Sequence, residues 1–62
     1  MIAPKSAAEY RADARSFDRK REDFRAMGDH LAADRMERRA LLARNAARAA
    51  ELAEIGAAGG AL

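Results

Sequence analysis

Phe24-Arg-Ala-Met-Gly-Asp-His-Leu-Ala-Ala33 is the stretch that decides the fold, because a turn signal interrupts a continuous helical pattern at its centre. Gly28 suits the position just after a helix, where a left-handed backbone disfavours side chains. Asp29 suits the N-cap of a following helix, where its carboxylate accepts hydrogen bonds from backbone N–H groups. The pair therefore predicts a tight turn between two antiparallel helices.

The composition of the 62-residue chain excludes a β-sheet fold. Val, Thr, Gln, Trp and Cys are absent, and the only β-branched residues are Ile2 and Ile55. Strands need β-branched and aromatic residues, whereas the abundant Ala, Arg, Glu and Leu favour helices. We predict an all-α fold, a two-helix antiparallel hairpin with the turn at Gly28-Asp29.

The predicted boundaries follow from capping signals. Ser6 and Glu9 match a capping box after Pro4, and Gly56 suits a helix end. We place helix 1 at about residues 7–27 and helix 2 at about 30–55. The domain organisation is then a lead-in at 1–5, a helical hairpin at 6–55 and a flexible tail at 56–62.

Side chains recur every seven residues on both sides of the turn. Reversal at the turn places the aromatic heptad of helix 1 opposite the alanine heptad of helix 2, with Phe24 opposite Ala33 and Tyr10 opposite Ala47. This arrangement predicts large side chains entering an alanine groove, in coiled-coil style. The predicted seam comprises Tyr10, Phe17, Phe24, Ala33, Met36, Ala40 and Ala47.

One continuous helix is the alternative to a hairpin, because the aromatic heptad extends across Gly28 to Leu31. The next two positions of that series are Arg38 and Asn45, so the apolar stripe stops where the alanine stripe begins. We therefore favour the hairpin.

The spacing around the turn resembles that of a tetratricopeptide repeat, in which a Gly-Asp turn joins two helices that pack through small residues. The resemblance covers about a third of the chain and rests on Phe17, Phe24, Gly28-Asp29, Ala33 and Ala40. Helix 2 is longer than in that family, and one repeat is present where stability requires about three. We interpret the resemblance as shared hairpin geometry.

Helix 2 has a wider apolar arc than one partner helix covers. A chain of this length buries only about 60% of its unfolded surface, so a further protein partner or self-association is expected. The residues predicted to face that partner are Leu41, Leu42, Ala46, Ala49, Leu52, Ala53 and Ile55.

Catalytic and metal-binding patterns are lacking. The single histidine, His30, has only Asp29 and Asp34 as neighbouring acidic ligands, and zinc or calcium sites take several ligands. Ser6 is accounted for by capping, and no glycine-rich phosphate loop precedes a helix. We expect no enzymatic activity, no cofactor and no metal site.

Nucleic-acid binding is a second hypothesis, because the middle of helix 2 is rich in arginine. The formal net charge is only +2, however, and Arg38 and Arg39 point away from Arg44 and Arg48 on a helical projection. A small helical enzyme inhibitor is a third hypothesis. The candidate nucleic-acid contacts are Arg35, Arg38, Arg39, Arg44 and Arg48.

The sequence as a whole predicts a non-enzymatic structural or adaptor subunit that acts through helix–helix contacts. The Ala and Arg bias suggests a bacterial or phage gene, and the partner is a larger assembly or a second copy. The first residues include no apolar segment typical of a secretory signal. The sequence also has no run of about 20 apolar residues, which a membrane-spanning helix requires. We expect the protein in the cytoplasm or in a virion or other intracellular assembly.

Overall fold

The computed structural model describes the backbone of residues 5–59 and the side chains of residues 5–56. This part of the chain forms two α-helices, α1 (Ala7–Ala26) and α2 (His30–Gly59), which pack against each other. The predicted all-α hairpin is confirmed. One boundary differs: α2 continues as a helix through Gly56 to Gly59, beyond the predicted end at Ile55. Residues 1–4 of the predicted lead-in and 60–62 of the predicted tail lie outside the described residues.

The start of α1 is a capping box. Ser6 Oγ accepts a hydrogen bond from the Glu9 N–H at 3.2 Å, and the Ser6 N–H donates to Glu9 Oε1 at 3.4 Å. These bonds satisfy backbone donors that the first helical turn leaves without partners. The local sequence therefore determines where α1 begins.

The turn closes α1 and opens α2 with local hydrogen bonds. Gly28 has a φ of 79°, and its N–H donates to the Arg25 carbonyl at 3.0 Å, while the Asp29 N–H donates to the Phe24 carbonyl at 2.9 Å. This pair of bonds is a Schellman motif. Asp29 Oδ1 then accepts from the Ala32 N–H at 3.1 Å as the N-cap of α2. The roles predicted for Gly28 and Asp29 are both present.

The centre of the hairpin consists of alanine packed on alanine. Among the described residues, every buried side chain is an alanine, and Ala40 is fully inaccessible. The aromatic side chains of α1 are only half-buried. Because small side chains let two helix backbones approach closely, they occupy the centre, and the larger rings lie to one side. The buried residues are Ala7 and Ala14 of α1 and Ala33, Ala40, Ala43 and Ala47 of α2.

The polar contacts between the helices lie further along α2 than the predicted pairing. The Ala7 N–H donates to Glu54 Oε1 at 3.1 Å, although the heptad pairing placed Ala7 opposite Ala50. The ion pairs Arg11–Glu51 and Asp18–Arg44 likewise join residues of α1 to residues of α2 that lie further toward its C-terminal end than the heptad pairing predicts. The polar contacts thus lie about one helical turn further along α2 than the aromatic-to-alanine pairing requires.

Candidate interaction surface

One flank of the hairpin is held by ion pairs between the helices. Arg11 pairs with Glu51 and Asp18 pairs with Arg44, and Asp18 Oδ1 also lies 3.5 Å from Nη1 of Arg21. The partners are partly solvent-exposed, so each pair contributes about 0–1 kcal/mol. On this flank, ion pairs therefore join α1 to α2.

The opposite flank carries the aromatic side chains and an open groove of about 380 Å³. Lys5 Nζ hydrogen-bonds to Asp13 Oδ2 at 2.7 Å at the edge of this groove, and that bond raises the pKa of Lys5. Lys5 Nζ also lies 5.8 Å from the centre of the Tyr10 ring. The groove therefore has an apolar floor and a charged rim. Its lining residues are Lys5, Tyr10, Asp13, Phe17, Arg39, Leu42, Ala43 and Ala46.

An exposed apolar region lies on the side of α2 that faces away from α1. Residues advance by about 100° along a helix, so the uncharged residues between 41 and 56 that are not turned toward α1 share one side. We call this set the outer apolar face. It comprises Leu41, Leu42, Asn45, Ala46, Ala49, Leu52, Ala53 and Gly56, and its edge residues Leu42 and Ala46 also line the groove.

The outer apolar face is accessible and has no charge. Leu41, Leu42 and Leu52 are 55%, 67% and 57% exposed. The charged residues of the same segment project toward α1 and its flank, where Glu54 and Glu51 contact the backbone or side chains of α1. In the hairpin alone, the leucines are left in contact with solvent.

Six of the seven residues predicted to face a partner lie on this face. Ile55 is also exposed, at 60%, but it projects beside Arg48 at the edge of the ion-pair flank. Asn45 and Gly56 belong to the face although hydrophobicity did not single them out. The signal that identifies them is the absence of charge over a whole side of the helix.

The seam residues are divided between the centre and the aromatic flank. Ala33, Ala40 and Ala47 lie in the buried centre. The other four, Tyr10, Phe17, Phe24 and Met36, are half-buried. Sequence reasoning had assigned the central role to the rings.

The five arginines of the nucleic-acid hypothesis do not form one stripe. Arg44 is paired with Asp18, and Arg39 lines the groove on the other flank. Arg35 and Arg38 project outward from the first half of α2, and Arg48 lies near Arg44. A phosphate backbone would contact only a subset of them at once.

Two further exposed apolar residues flank the turn, and sequence reasoning did not select them. Met27 is 70% exposed and Leu31 is 66% exposed. His30 lies between them and is also exposed. Over residues 5–59, no group of three or more His, Asp or Glu side chains is arranged to hold a metal ion. No helix in this range combines the length and hydrophobicity needed to cross a membrane.

Comparison with known proteins gives no relative. No protein-family model, curated protein or solved structure matches the chain. The resemblance in spacing to the tetratricopeptide repeat therefore supports no family assignment.

Proposed function

We propose that this chain is a non-enzymatic structural or adaptor subunit that packs by helix–helix contacts into a homo-oligomer or a larger bacterial or phage assembly. One observation carries the proposal: the outer apolar face of α2 exposes three leucines on a side of the helix that has no charge for four turns. Such a face is typical of a helix that docks on another helix.

Burial of the exposed leucine side chains would stabilise an interface. Complete burial of an exposed leucine contributes about 1.5–3 kcal/mol. Leu41, Leu42 and Leu52 together can therefore supply several kcal/mol to an interface. Ala46, Ala49 and Ala53 lie between them and allow a partner backbone to approach closely, as the alanines at the centre of the hairpin do.

The surroundings of the face supply specificity. Charges at the rim of an interface select partners and orient them more than they add affinity. Arg48 lies at one edge of the outer apolar face, and Arg38 lies at its end nearest the turn. We propose a coiled-coil type of packing, in the cytoplasm or inside a virion, and the absence of cysteine fits a reducing compartment.

Site-directed photocrosslinking in cells of the organism that encodes the chain tests this proposal. A benzoylphenylalanine replaces Leu52 on the outer apolar face or, as the control, Ala12 on the exposed side of α1. We expect discrete protein adducts from position 52 that are absent from position 12. Equal labelling from both positions, or adducts with nucleic acid alone, would contradict the proposal.

A further inference from the structure

The outer apolar face is complementary to itself when two copies of α2 run antiparallel. Its described side chains extend from residue 41 to residue 56, and Ala49 lies near the middle of this range. A two-fold axis at Ala49 brings Leu52 opposite Ala46 of the second copy and Leu42 opposite Gly56 of the second copy. Each of these leucines then meets a small residue, which is the large-to-small packing that fills an interface without voids.

Charge limits how far the register can shift toward the hairpin turn. Asp34, Arg35 and Arg38 share the outer side of α2, but they lie between the turn and Leu41. Full overlap of the two uncharged segments leaves these residues outside the contact. A shift of one helical turn toward the hairpin turn would bring Arg38 against apolar side chains, and burial of an unpaired charge is strongly unfavourable.

The hairpin exposes more surface than a compact chain of its mass. A compact folded chain of 6.7 kDa exposes about 3,900 Å², whereas this chain exposes 4923 Å². Its radius of gyration is 14.8 Å, against about 11 Å for a compact domain of this length. The excess surface of about 1,000 Å² is close to the roughly 800 Å² that each partner contributes to a standard interface.

We infer that the outer apolar face binds a second copy of this chain, antiparallel about a two-fold axis at Ala49. The result is a flat layer of four helices with the two α2 helices at its centre and an α1 helix on each side. The interface is isologous, with the same face used by both copies, as in most dimers of soluble proteins. This inference rests on the proposed function and names its partner.

Cysteine crosslinking tests the axis directly, since the chain contains no cysteine. Ala49→Cys places two thiols together at the axis, whereas Ala12→Cys places them on the exposed side of α1, far from the contact. Under mild oxidation of the purified chain, we expect Ala49→Cys to form a covalent dimer more than about tenfold faster than Ala12→Cys, because pairing raises the effective concentration of the thiols. Equal rates would overturn the inference.

A charge substitution provides an independent measurement. Leu52→Glu should weaken dimerisation by about 100-fold or more, because two carboxylates would be buried against alanine. Leu31→Glu, the same change at an exposed leucine outside the uncharged segment, should leave the dimer intact. Sedimentation of both variants gives their masses, and circular dichroism reports their helicity. If Leu52→Glu loses its helicity, the comparison of Ala49→Cys with Ala12→Cys alone tests the inference.

The outcomes separate this inference from the proposed function. A wild-type chain that sediments as a folded monomer at high micromolar concentration would overturn self-pairing. If position 52 still gave protein adducts in cells, the adaptor function would stand with a different partner. If position 52 gave no protein adduct either, both would be wrong.

Discussion

At the residue scale, the hairpin depends on a few backbone groups whose partners are specified individually. Gly28 adopts a positive φ so that two N–H groups can close the end of α1. Glu54 supplies a carboxylate to the Ala7 N–H at the opposite end of that helix. Both ends of α1 are therefore terminated by specific hydrogen bonds, which are local at the turn and are supplied by both the capping box and α2 at the start of the helix.

Replacing Gly28 and Gly56 individually with alanine should change stability in opposite directions. Gly28→Ala should destabilise the hairpin by about 1–2 kcal/mol, because a Cβ is disfavoured at positive φ. Gly56→Ala should stabilise it by about 0.5–1 kcal/mol, since Gly56 lies within α2 and a Cβ there meets nothing within 4 Å. Thermal unfolding followed by circular dichroism measures both. Destabilisation by both substitutions would contradict the helical state of Gly56.

The carboxylate of Glu54 caps the start of α1, although Glu54 is 47 positions away from Ala7 in the sequence. Glu54→Ala should destabilise the protein by about 1 kcal/mol, as loss of an N-cap does. Glu37→Ala is the matched control, because Glu37 is exposed on the same helix and makes no hydrogen bond or ion pair within the described range; its effect should be below about 0.5 kcal/mol. Urea unfolding of both variants gives the difference. Equal values would show that Glu54 does not cap α1.

At the element scale, the two helices associate through alanine, with larger side chains on either flank. Ala14 and Ala40 lie at the centre, the rings of Tyr10 and Phe17 cover the groove side, and ion pairs cover the other. The close approach of α1 and α2 therefore depends on small volume more than on large apolar area. Because the space between the helices is small, added side-chain atoms at the centre should destabilise the hairpin.

Enlarging a central alanine should be more damaging than enlarging an exposed one. Ala40 is 0% exposed, so Ala40→Leu should destabilise the hairpin by about 1–3 kcal/mol through overpacking. Ala12→Leu, on the exposed side of α1, should change stability by less than about 0.5 kcal/mol. Phe17→Ala should destabilise the hairpin by less than the ~3–5 kcal/mol typical of losing a fully buried ring, because Phe17 is half-buried. Chemical unfolding compares the three. A tolerated leucine at position 40 would contradict the alanine-centred packing.

At the scale of the whole molecule, the hairpin is an elongated object of 53 × 22 × 13 Å with different surfaces on its sides. Ion pairs lie on one flank, the groove on another, and the outer apolar face on the side of α2 opposite α1. The net charge of +2 is distributed over both helices. The charge is therefore spread over both helices, whereas the exposed side chains of Leu41, Leu42 and Leu52 lie together on one side of α2.

Binding to a phosphate-rich matrix should reflect total charge alone. The double variant Arg38→Gln/Arg39→Gln removes two arginines of α2, and Arg15→Gln/Arg19→Gln removes two of α1. We expect both variants to elute at a similarly lowered salt concentration, because the α2 arginines do not form one stripe. Heparin chromatography over a salt gradient measures the shift. A much larger shift for the α2 pair would favour a nucleic-acid site on α2.

Sequence reasoning succeeded where structure is decided by residues within about four positions of one another. The helical class, the Ser6 capping box, and the Gly28-Asp29 turn all rest on such local hydrogen bonds. It also selected most of the outer apolar face, because a period of about 3.6 residues reports which side chains share a side of a helix.

Only the tertiary structure decided which residues occupy the centre, how the helices are registered, and which polar groups meet. The rings of Tyr10, Phe17 and Phe24 share one stripe of α1 with Ala7 and Ala14, and sequence period does not show which of them lie at its centre. Side-chain volume chooses, because backbones separated by alanine approach more closely than backbones separated by rings. The contact between Ala7 and Glu54 joins residues that are 47 positions apart and exists only once that choice is made. The same packing turns the uncharged side of α2 outward, and so creates the surface on which the function proposed for this protein depends.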